Sequence, residues 1–364
     1  MLADSMISMN VLSAPAPRAY VPAFDGLRAV AAIAVIVAHC AAGRGTLAIL
    51  NSRIGLGALG VDLFFALSGF LITGILLSVR DGGTPSRGLV NFYMRRACRI
   101  LPLYYAAVLL YLALGFPGVW ANIWWFFGYA VNVGKAVGAK GWAPLNHFWT
   151  LSVEEQFYLV WPAVVLWTPN AWFGSVCLVV AVGSLAFRCL MALMGANAFA
   201  VTQLTPGCLE PLALGAWFAL RTIEGSPVGP LARRITWIGL VATCTCMLLP
   251  QGAQDLLGRG AHALLFSPIV SLVAGLREGA VHSILVAPIM RYLGMISYGL
   301  YVWHVPVLDA IDRWTPFNSW TASMPKAIAG ITLFVVAFPT SIIAASATWF
   351  AFERAFIRLK TRFE

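Results

Sequence analysis

Residues Phe24 to Cys40 read FDGLRAVAAIAVIVAHC, and beyond the opening Asp25 the only ionisable side chains in this apolar run are Arg28 and His39. As a helix it rises roughly 25 Å at 1.5 Å per residue, close to the hydrocarbon thickness of a bilayer. Arg28 and His39 are eleven steps apart, about three full turns, so they share one helix face with roughly 16 Å between them along the axis. Ionisable residues inside a membrane are costly, and each is a functional candidate by default.

The rest of the chain agrees with a membrane reading. Its 364 residues are 60% hydrophobic and 10% charged, and mean hydropathy is +0.82. A soluble domain carries about 25% charged residues, so these charges cannot coat a water-soluble globule. The 14 Trp suit side chains at two membrane interfaces. Further runs long enough to cross, or nearly cross, fall near 58–79, 100–117, 148–168, 171–194, 207–220, 235–250, 258–276, 291–311 and 326–352. The expected fold is an all-α, polytopic transmembrane bundle of about ten spans. Trp120–Val133 (WANIWWFFGYAVNV) is short and Trp-rich, and reads as a re-entrant or interfacial helix.

Arginine placement supports that choice. If Trp120–Val133 does not cross, one side collects Arg18, Arg80, Arg87, Arg95, Arg96, Arg99, Arg221, Arg233, Arg234, Arg277, Arg291 and the basic tail. The other side holds Arg44, Arg53, Lys135, Lys140, Arg259, Arg313 and Lys326. The positive-inside rule then makes the first side, and both termini, cytoplasmic. The net charge of +10 is explained by topology and not by nucleic acid. Residues 1–23 read as a disordered tail, 24–358 as one membrane domain and 359–364 as a short cytoplasmic tail. The seven Cys lie mostly in apolar runs, where a thiol acts as a small hydrophobe. Cys244-x-Cys246 lacks a second pair, and no metal site is expected.

Other ionisable residues recur in apolar stretches: Asp62 in GVDLFFALSGFLITGIL, Glu154 and Glu155 in FWTLSVEEQFYLVWP, His304 in ISYGLYVWHVPV and Glu353 in FERAF. A carboxylate at the depth of His39 would orient its imidazole for base catalysis, and Asp62, Glu154 and Glu155 are the candidates. Adjacent helical residues point about 100° apart, so Glu154 and Glu155 do not both reach one site. Arg96 and Arg99, in NFYMRRACRILPLYY, share a face just below the third span. They suit either a positive-inside anchor or a phosphorylated cytoplasmic donor.

These six motifs, in this order, resemble acyltransferase family 3, bacterial integral membrane O-acyltransferases of surface glycans and related carbohydrates. The resemblance runs from Phe24 to about Arg358. It implies that the Arg-x10-His pair, Arg28 and His39, carries the essential histidine and that Arg96 and Arg99 serve the acyl donor. It also implicates Glu353, although the family usually has a proline soon after that residue and this chain reads Glu353-Arg354-Ala355. The implied donor is acetyl-CoA or another acyl-CoA, with no tightly bound cofactor. The implied partners are a carbohydrate acceptor, membrane lipids and polysaccharide-assembly proteins, at a bacterial inner membrane. Some members carry a carboxy-terminal SGNH hydrolase-like domain, and these 364 residues are expected to work without one in cis.

Joined to the residue reading, the resemblance implies that acyl-CoA phosphates dock on Arg28, Arg96 and Arg99 and that the thioester reaches His39. His39 then acts as general base or as acyl carrier, with His304 the reserve candidate. The alternative class is a secondary transporter of an anionic glycan or lipid-linked sugar, which intramembrane His and Arg would also suit. The lack of an evident internal repeat argues against it.

Overall fold

The computed structural model describes residues 20–42, 54–82, 85–225 and 228–359. The expected disordered tail lies outside the described residues up to residue 19, as do residues 360–364 at the other end. The described residues form helices and no strand. The long ones are α1 (Ala23–Ala41), α2 (Leu56–Asp81), α3 (Pro85–Ala113), α4 (Trp149–Trp167), α5 (Asn170–Leu193), α6 (Leu209–Ile223), α7 (Val228–Cys246), α8 (Gln251–Gly275), α9 (Ser297–Trp314) and α10 (Lys326–Thr348).

Six of these are long and apolar enough to cross a membrane: α1, α2, α3, α5, α8, and α10 with its continuation to Leu359. Helices α4, α6, α7 and α9 occupy the other four expected stretches. α6 has 15 residues, fewer than the roughly 17 a crossing needs. The others carry polar groups that dilute their hydropathy: Glu154 and Glu155 in α4, Arg233 and Arg234 in α7, and Asp309, Asp312 and Arg313 in α9.

Two expected boundaries move. Arg95, Arg96 and Arg99 lie inside α3, not below a span, because Pro85 opens the helix where its missing N–H costs nothing and the next proline is Pro102. Arg259, counted with the outer-side residues at the edge of the run 258–276, lies well inside α8, since that helix starts directly after Pro250. The Trp120–Val133 stretch falls across Pro117–Ala121, Ile123–Phe127 and Val131–Ala136, helices of five, five and six residues. Each rises only about 8–9 Å, so none crosses.

Glycine-to-backbone contacts set the centre of the bundle. A Cβ on Gly69 of α2 would stand 2.0 Å from the Leu212 carbonyl oxygen of α6, and one on Gly215 of α6 would stand 2.4 Å from that of Ala66. Small residues at such crossings let membrane helices approach closely where no hydrophobic force drives them together. Large apolar side chains such as Leu159, Val179, Trp237, Val335 and Ile343 face outward, exposed, as lipid contact requires.

Candidate active site

Helix α1 carries a different polar group at each end. Near its start Arg28 donates to Asp25 Oδ1 at 2.9 Å, and the Tyr20 hydroxyl donates to the other oxygen of that carboxylate. The charges of Arg96 and Arg99, on α3, act on Arg28 and on each other, and Asp25 and Glu353 lie within electrostatic range of Arg99. Arg96 also sits over the Tyr158 ring, 4.6 Å from its centroid. Glu353 is buried in a π-helical turn, Trp349–Glu353, and accepts from Thr348 Oγ1 at 3.3 Å. Such a turn adds a residue to the helix and re-aims the side chains around it. Arg28, Arg96, Arg99 and Glu353 thus come together from three helices.

Glu154 and Glu155 belong to this end and not beside His39. Both sit more than a turn into α4 from Trp149, about 8 Å along the axis. Glu154 accepts from Ser68 Oγ at 2.7 Å, and Tyr158 donates to the same Ser68 oxygen at 3.0 Å. The charges of Arg96 and Arg28 act on Glu154, and that of Arg96 on Glu155.

At the other end of α1 is a cavity of about 340 Å³, lined by His39, Asp62, Asn146, His147, Trp149, Gln203, Thr243, Arg259, His262 and Tyr301 among others. His39 Nδ1 lies 2.9 Å from the Val35 carbonyl oxygen. A carbonyl only accepts, so Nδ1 carries the proton and Nε2 keeps its lone pair; the hydrogen-bond partner assigns this tautomer. His304, fully buried, stands edge-to-face against His39 and His147, with ring centroids 4.9 and 4.8 Å away.

The carboxylate expected to orient His39 does something else. Asp62 lines the same cavity, but its oxygens meet Arg259 Nε at 3.1 Å and His262 Nδ1 at 2.8 Å. The backbone of its own helix, one turn back at Val35, orients His39 instead.

Several members escape the sequence reading: Asp25, His147, Arg188, Glu210, Arg259 and His262. Arg188 is buried and donates to both Glu210 oxygens, to the Gly207 carbonyl at 2.8 Å and to the Leu256 carbonyl at 2.7 Å. It stands within the apolar stretch 171–194 and carries the same signal as Arg28, an ionisable group where lipid surrounds the helix. His262, within the stretch 258–276, carries that signal too, whereas His147 stands just before the stretch 148–168 and does not. Outside the spanning helices, Lys135 is buried and donates to Asn146 Oδ1 at 2.7 Å. Burial pushes its ammonium down to about 8.

Residues 21–350 match the family described as Acyltransferase domain. Among the curated relatives, the peptidoglycan O-acetyltransferase OatA of Listeria monocytogenes is 31% identical over 351 residues, covering 85% of this chain and 53% of the relative. The O-acetyltransferase OatA of Staphylococcus aureus is 27% identical over 327 residues, covering 81% of this chain and 52% of the relative. The chain thus spans about half the length of the curated relatives it matches. No solved structure matches it.

Proposed function

The chain belongs to the acyltransferase 3 family, and on that premise we propose that it is a membrane O-acetyltransferase, moving an acetyl group from acyl-CoA to a hydroxyl of an envelope or exported glycan. Peptidoglycan is the acceptor named for its Listeria relative. One observation carries the reading. A single helix holds an arginine cluster suited to phosphates at one end and, roughly 16 Å away, a histidine with a free Nε2 lone pair beside a cavity. A long, thin pantetheine arm can join two such points.

In this reading Arg28, Arg96 and Arg99 grip the donor's phosphates, where an anion relieves the repulsion between guanidinium groups. His39 Nε2 takes the proton of the acceptor hydroxyl as its oxygen attacks the thioester carbonyl. The C–S bond then breaks, and the proton passes to the leaving thiolate. His304 packs behind the His39 ring and holds its plane.

Topology follows the arginines. We assign α4, α7, α9, and α6 together with the turn Thr205–Cys208 that leads into it, as spans beside the six apolar helices, giving about ten, with both termini in the cytoplasm and the His39 cavity opening outward. A bacterial inner membrane then separates the donor's side from the acceptor's. As domain bounds we keep 24–358 for the membrane unit. The test is direct: purified protein given acetyl-CoA labelled on its acetyl group should move label to a glycan acceptor. Labelled acetyl-CoA that stays intact, with and without acceptor, refutes the reading.

A further inference from the structure

The cations in the cavity wall are already engaged. Arg188 gives its donors to Glu210 and to the Gly207 and Leu256 carbonyls, and Arg259 Nε faces Asp62 at 3.1 Å. An anionic ligand would have to draw a guanidinium away from its carboxylate and leave a buried charge unpaired, which is strongly unfavourable.

The buried wall atoms without a hydrogen bond among the described residues include Asp62 Oδ1 and Arg259 Nε, which still face each other as an ion pair, and neutral atoms that have no ion pair. Gln203 and Thr243 both line the cavity, and Gln203 Oε1 and Thr243 Oγ1 are buried without a hydrogen-bond partner among the described residues. Thr243 is 3% exposed, so its hydroxyl is cut off from bulk water. Buried polar groups in folded proteins are almost always partnered. Gln203 Oε1 can only accept, so its missing partner brings an O–H or N–H. Trp149 adds a flat aromatic face to the same wall.

We propose that this cavity is the acceptor subsite and that it selects an uncharged, hydroxyl-rich sugar over an anionic one, with Gln203 and Thr243 as specificity-determining residues. Only the word acceptor rests on the acyl-transfer reading above; the selectivity rests on the cavity wall.

The probes are two oligosaccharides of equal length: a neutral N-acetylglucosamine tetramer and a hyaluronan tetrasaccharide, whose alternate sugars carry carboxylates. Binding to the purified full chain is followed by tryptophan fluorescence. The neutral tetramer should bind at least about tenfold more tightly than the anionic one. Gln203→Leu and Thr243→Val should each weaken neutral binding about tenfold, the scale of one lost buried hydrogen bond. Thr243→Ser, which keeps the hydroxyl, should bind like the original protein and so separates a lost contact from a lost fold. Equal or tighter binding of the anionic probe overturns the proposal. So does neutral binding that both apolar variants leave intact, because the orphaned atoms are then met by water. Thioester hydrolysis by the unsubstituted protein, measured on the same preparation, reports separately on acyl transfer. Its failure with sugar selectivity intact sinks the enzymatic reading and leaves the subsite standing.

Discussion

At the cavity end each arginine has a carboxylate close by: Arg188 against Glu210 and Arg259 against Asp62. At the Arg28 end Arg28 is paired to Asp25, while Arg96 and Arg99 lie within electrostatic range of it and of one another, with Glu154, Glu155 and Glu353 also in range of the cluster. The same residue type therefore does two kinds of work. Matched buried pairs fix helices in place and leave no net charge to attract an ion, whereas crowded like charges gain most when an anion arrives. In the proposed reading, α1 thus joins a phosphate-binding end to a hydroxyl-binding one.

The widest break in that comparison would come from topology. A Cys introduced for Ser86, which is exposed at the start of α3, should be protected from membrane-impermeant thiol reagents applied outside intact cells. One introduced for Gln251, exposed at the start of α8 and beside the cavity, should react. Both labelled from the same side would place the two ends on one face and end the two-pole account. The native cysteines are first replaced so that the signal is unambiguous.

Next in size is His39→Ala. Acyl transfer should fall about 10²–10⁴-fold, the usual contribution of a general base, while acyl-CoA affinity stays within about twofold. Loss of both together would mark His39 as structural and blur the distinction between the ends. A covalent acyl adduct trapped on His39 by acid quench would instead sharpen it, making the histidine an acyl carrier.

Asp62→Asn probes the matched pairs. It keeps the side-chain volume but removes the charge facing Arg259, so stability should drop by about 3 kcal/mol, the lower range for breaking a buried pair. Thermal unfolding in detergent measures this. An unchanged midpoint would show that the pairing at the cavity contributes nothing to holding α2 against α8.

The smallest expected effect belongs to the crowded end. Arg96→Ala with Arg99→Ala should raise the acyl-CoA Kd roughly 10–100-fold, the loss of one or two charge-assisted hydrogen bonds. Added salt should narrow that gap because part of the interaction is screened. Unchanged affinity would reduce both residues to membrane anchors.

The candidate site is legible in the sequence where a charge stands in an apolar run. Arg28, His39, Asp62 and Glu353 are found that way, because lipid tolerates an ionisable group only for a reason. Arg188 carries the same signal and could have been read with them. His262, within 258–276, carries it as well; His147, just before 148–168, does not, and its burial depends on the helices around it.

What the sequence by itself determined is the membrane helical class, the lack of one long helix through Trp120–Val133 and the shared face of Arg28 and His39, all of which follow from local hydropathy and the fixed pitch of a helix. The partnerships were decided only by tertiary structure. Asp62 could have served His39, but the crossing of α2 with α6 and α8 delivers it to Arg259 and His262 instead. Glu154 could have joined the cavity, but the depth at which α4 sits against α2 gives it to Ser68 and the arginines. Periodicity sets which way a side chain points along its own helix. What it meets there depends on how far that helix has slid and turned against its neighbours, and no single stretch of sequence encodes that.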